Sequence, residues 1–247
     1  MVQTTTDELL TYIFDGQLHI LAQPMATWLV SSRRFTAFVS TFRDKIRKKL
    51  RTTQDTESLL DLRLELETAY LLLQERSLSL VYEPEQSERM RGPDFAVTFT
   101  TSLTFMVEVT RLRADAQKTS LLGVRVADTI CNKLGQLLPQ RSNILMIGVE
   151  TLALTQDELR AVMLQTQQRA ERNDPAILQR YRLRDRSDFF RYYQRVSEVL
   201  VRETNPQTAE PPFIVWANPQ AKHPLTGKAR SALYHSQAES FRQTDKT

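Results

Sequence analysis

Residues 93–112, PDFAVTFTTSLTFMVEVTRL, constrain this chain more than any other stretch. Two alternating runs flank Thr100-Thr101-Ser102, the pattern of a β-hairpin. With the turn centred on Thr101, paired residues have numbers that sum to about 202. Phe95 then faces Val107, Val97 faces Phe105 and Phe99 faces Leu103, an all-apolar surface fit for a core. The opposite surface pairs Thr98 with Thr104, Ala96 with Met106, and Asp94 with Glu108. Thr110 follows Glu108 on that surface, because strand side chains alternate. Two carboxylates opposed on a sheet repel each other unless they are solvated or share a cation. Hard oxygen donors select Mg²⁺ or Mn²⁺, so Asp94 and Glu108 are candidate metal ligands.

The flanking segments set this hairpin in an α/β frame. Phe35, Phe38, Val39, Phe42, Ile46 and Leu50 recur at helical spacing over 34–50, and Leu59, Leu62, Leu66, Ala69, Tyr70 and Leu73 do so over 55–76. Before them, 7–30 reads as short helices and a loop. A strand, 78–82, and a polar loop, 83–92, lead into the hairpin. A helix over 121–139 then precedes an unbroken apolar strand, Asn143 to Val149. Strand, helix, buried strand is a crossover unit, so part of the sheet is expected to be parallel. Beyond Glu150, Thr155 and Glu158 form a capping box that opens a helix to Arg172. A second helix is expected from Ser187 through Phe190, Tyr193, Val196 and Leu200. A polar linker at 205–212, a short strand at 213–216 and a polar tail after Ser236 follow. The chain thus divides into an N-terminal helical segment (1–54), an α/β core (55–150) and a C-terminal helical extension (151–247).

Several function classes drop out. One cysteine, Cys131, forms no intramolecular disulfide, and His19, His223 and His235 do not cluster with it as zinc ligands. Six glycines leave no phosphate-binding glycine loop. The N-terminus has no secretory pattern and no apolar run reaches membrane-spanning length, so a cytoplasmic protein is expected. Net charge is only +4, but eight Lys/Arg residues against one acid between Arg33 and Arg51 give that stretch 8 − 1 = +7. Arg43, Lys45, Arg47, Lys48, Lys49 and Arg51 therefore form either a solvated helix face or a nucleic-acid-binding patch. Phe189, Phe190, Tyr192 and Tyr193 either cover the core, the favoured reading, or pack on another chain, which leaves a homodimer open.

Pro93-Asp94 and Glu108-Val109-Thr110 resemble the signature of the PD-(D/E)XK nuclease superfamily, over about 55–150. The preceding helix, with Glu65-Leu66-x-x-Ala69, is similar to the family's upstream acidic helix; Glu65 is the first choice and Glu67 the second. The following helix carries Lys133-Leu134-Gly135-Gln136, similar to the Lys/Gln positions some members place there. The resemblance implies a restriction-endonuclease-like three-layer α/β core with a mixed β-sheet flanked by helices. It implies Mg²⁺ or Mn²⁺ on Asp94 and Glu108, and hydrolysis of phosphodiester bonds in DNA. Thr110 stands where the family places a lysine, and a hydroxyl carries no positive charge at neutral pH. Lys133 is the leading substitute, ahead of Lys118 and Arg111; Arg111 should point away from Glu108 and Thr110. Without such a substitute, the chain would be an inactive nuclease-fold module that binds nucleic acid or a protein partner.

Overall fold

In the computed structural model, which describes residues 5–53, 55–84, 92–113, 121–204 and 213–238, the hairpin joins β2 (Phe95–Phe99) to β3 (Leu103–Arg111). Thr100 turns the chain at φ 56°, and the register pairs Phe95 with Val107, Val97 with Phe105 and Phe99 with Leu103. Lys118, most of the loop before Gly92, the linker 205–212 and the tail from residue 239 lie outside the described residues.

β1 (Leu78–Tyr82) extends the hairpin antiparallel on the β2 side. On the other side β3 pairs in parallel with β4 (Asn143–Val149), which pairs in parallel with β5 (Val196–Glu203). An antiparallel edge strand, β6 (Phe213–Ala217), completes a six-stranded mixed sheet in the order β1-β2-β3-β4-β5-β6.

Helices cover both faces. On one lie α1 (Thr6–Phe14), α2 (Ala22–Ser31), α3 (Arg33–Thr52) and α4 (Thr56–Gln74), joined by α9 (Gly227–Ala238). Their apolar side chains share one cluster with Phe95, Val97, Phe105 and Val107, so the N-terminal helices and the hairpin form a single core. On the other lie α5 (Leu122–Lys133), α6 (Gln156–Glu171), α7 (Pro175–Arg180) and α8 (Arg186–Tyr193), packed on Leu145, Ile147, Val149, Val199 and Val201. Among the described residues, no helix is long and apolar enough to cross a membrane.

Two expectations are corrected. The 121–139 helix stops at Lys133 and tightens into a 3-10 turn, Leu134–Gln136, before Pro139. The second C-terminal helix ends at Tyr193, and the residues expected to continue it form β5. Among the described residues after 150, four helices are thus accompanied by two strands, β5 as well as the expected strand at 213–216. Phe189 and Tyr193 stack at 5.1 Å inside the core, as favoured from the sequence.

Asn143 pins the base of the sheet. Its amide nitrogen lies 2.9–3.0 Å from the carbonyl oxygens of Leu138, Arg141 and Arg195, and its Oδ1 accepts from the Leu138 N–H. Backbone groups buried at the start of β4 thus find side-chain partners where no strand neighbour serves them.

Candidate functional site

The site forms where β2 separates from β3. β2 pairs with β3 only as far as Phe95 and Val107, whereas β3 continues to Arg111 alongside β4. Just past the last pair, the Val109 N–H donates to Asp94 Oδ2 at 2.7 Å. The strand edge from Val109 to Arg111 then lines a cavity of about 370 Å³ bounded by α3, α4 and α5.

Period-two alternation sends Glu108 toward α5 and Arg111 toward α4. Lys133, in the last turn of α5, donates to Glu108 Oε1 at 2.8 Å and reaches Gln136 Oε1 at 3.3 Å. Arg111 instead binds Glu57 and Asp61 of α4, with its Nε 3.1 Å from Asp61 Oδ1. Its direction away from Glu108 is the one expected from the sequence. Thr110 lines the same cavity without a charge of its own.

Glu65 enters from α4, and Lys49 from α3 grips both its oxygens, at 2.6 and 2.7 Å, while reaching Glu83 at 3.1 Å. Glu67 points elsewhere, to Arg202 of β5 at 2.6 Å, so of these two α4 glutamates Glu65 shares the cavity with Asp94 and Glu108. Lys49 was grouped with the basic face of α3, and its place beside Glu65 was missed. Its helical spacing from Phe42 and Ile46 was the available signal, since these side chains mark the face turned toward the core.

Electrostatics single out Asp94. Burial, followed by the charges of Glu65 and Glu108, pushes its carboxyl up to about 8, against the opposing Val109 N–H and Lys49. Glu65 is also raised, because burial outweighs Lys49. Lys49 is raised despite burial by its two carboxylates. Of the four acids lining the cavity, Glu65 is paired with Lys49, Glu108 with Lys133, and Asp61 with Arg111 and Arg113. Among the described residues, Asp94 alone of the four has no cationic side chain at salt-bridge distance. A buried carboxylate without a counter-charge is what a divalent cation would relieve.

Several other cations of α3 are engaged within the chain. Arg47 and Arg51 bind Asp15, Arg43 lies over the Tyr12 ring at 5.0 Å, and Lys45 donates to the backbone oxygens of Tyr82 and Glu83. Lys48 is exposed.

Among the described residues, no three His, Cys, Asp or Glu side chains close around a common metal position. Mg²⁺ needs no such cage: it is commonly held by one or two carboxylates, water and substrate phosphate oxygens. The oxygen donors of Asp94 and Glu108 fit that pattern. No family model, curated protein or solved structure matches the chain.

Proposed function

We propose that this protein is a metal-dependent nuclease of the PD-(D/E)XK kind, with a restriction-endonuclease-like fold, that hydrolyses phosphodiester bonds in DNA. The observation that carries this reading is one cavity lined by Asp94, Glu108 and Glu65, with the Lys133 amine 2.8 Å from Glu108. Asp94 and Glu108 would hold Mg²⁺ or Mn²⁺, which when bound polarises a phosphate oxygen and acidifies water. Lys133 supplies the positive charge that Thr110 lacks, positioned by Glu108 and Gln136 to face charge that develops on phosphate oxygens. The Thr110 hydroxyl can orient water at the strand edge. Lys49 holds Glu65 in place.

Supercoiled plasmid and single-stranded DNA, each with Mg²⁺ or Mn²⁺, test the reading. Wild type should cut, and an Asp94→Asn, Glu108→Gln double variant should fall to background. Equal rates would end the enzymatic claim. Lys133→Met should slow cleavage by about 10²-fold while leaving Mg²⁺-induced thermal stabilisation in place. An unchanged rate would remove Lys133 from the role assigned to it.

Thr110 favours a second reading, a catalytically silent nuclease-fold module that binds DNA. Salt-sensitive binding without metal dependence or cleavage would select it.

A further inference from the structure

Residues 180–195, RYRLRDRSDFFRYYQR, hold six arginines, no lysine and two aspartates. Their formal charge, 6 − 2 = +4, equals that of the whole chain. The segment runs from the end of α7 through α8 to the start of β5.

Four of its guanidinium groups are held by contacts within the chain, and those of Arg180, Arg184 and Arg191 remain open to solvent. The Asp188 side chain, 8% exposed, accepts from Arg184 at 2.7 and 2.9 Å and also from Arg191. The two arginine side chains are themselves 76% and 53% exposed. One carboxylate thus orients two forked cations and cancels only one of their charges. Arg191 and Arg195 also lie over the Tyr192 ring, at 4.8 and 4.6 Å from its centroid. Arg182 and Arg186 are exposed beside them.

This face is joined to the candidate site. Arg195 Nη1 donates to the Leu137 carbonyl oxygen at 3.0 Å, and Leu137 follows the 3-10 turn whose Gln136 reaches Lys133. The chain of contacts from Glu108 through Lys133 and Gln136 thereby leads onto the arginine face. On α3 Arg47, Lys49 and Arg51 are each paired with an acid, whereas Arg184 and Arg191 share the single carboxylate of Asp188 and keep more than half of their side-chain surface exposed.

We propose that the arginine face on α8 and its flanks binds the phosphate backbone of DNA and seats it beside Lys133; the second half of this inference rests on the nuclease reading. Planar, forked guanidinium groups match phosphate oxygens in pairs, and rigid positioning lowers the entropy lost on binding. Such contacts give affinity and register without reading sequence.

Fluorescence anisotropy with a labelled 20-base-pair duplex in EDTA tests binding independently of cleavage. An Arg182→Gln, Arg186→Gln, Arg191→Gln triple variant should bind at least tenfold more weakly. Its logarithmic salt slope should fall by about 2–3. Arg43→Gln, Lys48→Gln on α3 should change affinity less than twofold. The Arg182→Gln, Arg186→Gln pair leaves the Asp188 network intact and should still weaken binding at least threefold, which covers misfolding of the triple variant. Wild-type affinity and slope in that pair, or a larger loss on α3, would overturn the assignment. A wild type that binds in this arginine-dependent way but does not cut DNA with Mg²⁺ or Mn²⁺ would instead count against the nuclease reading alone.

Discussion

Asp94→Asn is expected to stabilise the protein at pH 8.5, on the order of 2–5 kcal/mol, and to leave stability nearly unchanged at pH 4.5. The native carboxyl titrates near 8, whereas an unperturbed aspartate titrates at 3.8. Between those values the folded protein keeps a proton that the unfolded chain releases. The stability contributed by the protonated group is therefore fully present below about pH 4 and is lost as pH rises through 8. Asparagine removes the buried charge and retains an oxygen for the Val109 N–H, so the variant escapes that loss. Urea denaturation of both proteins at the two pH values measures the difference. If a divalent cation binds here, Mg²⁺ at pH 8.5 should raise the melting temperature of the wild type and not of the variant. Equal destabilisation by Asp94→Asn at both pH values would show that its charge is not what the site must accommodate.

The hairpin was legible because register there has little freedom. A one-residue slip would turn Phe95, Val97, Phe105 and Val107 away from the core together, so the apolar pattern selects one alignment. The same alignment points to Asp94 and Glu108 together; the ladder ends one pair before them, and the two acids line one cavity. Glu65 and Glu67 could only be ranked, because α4 is buried around much of its circumference and its periodicity does not point to one face. Lys49 was harder still. Its spacing from Phe42 and Ile46 marks the face it shares with them, but its partner Glu65 is 16 residues away on another helix, and local spacing does not say which helix packs there. β5 was misread for a different reason. Phe189, Tyr193, Val196 and Leu200 fall at helical intervals, while Glu198 and Arg202 look like an exposed ion pair four residues apart. On the strand, 198 and 202 lie on one face, where Glu198 meets α9 and Arg202 meets Glu67 of α4. The β-branched residues Val196, Val199 and Val201 face the opposite cluster, and the irregularity between Asn143 and Ile144 shifts the alternation at Ser197. Charged side chains in a fully covered strand defeat a reading based on polarity alone.

Those charges carry the other large effect. Arg230→Met is expected to destabilise the protein by about 3–5 kcal/mol. Glu198 is completely buried in β5, and its carboxylate is compensated by the Arg230 guanidinium and by the Tyr234 hydroxyl, which donates at 2.6 Å. Arg230 and Tyr234 stand one helical turn apart on α9, so a single helix face supplies both partners. Removing the cation leaves the fully buried carboxylate with one neutral donor. An Arg230→Met, Glu198→Met double variant should recover most of the loss, because a buried pair replaced by apolar groups of similar volume is near neutral. Denaturant titrations of the two single variants and the double variant close a cycle, with an expected coupling of at least about 2 kcal/mol. Additive effects would mean that Tyr234 and the surrounding backbone suffice for Glu198. α9 would then be held by Leu225, Ala229 and Leu233 in the shared core, with no electrostatic anchor to β5.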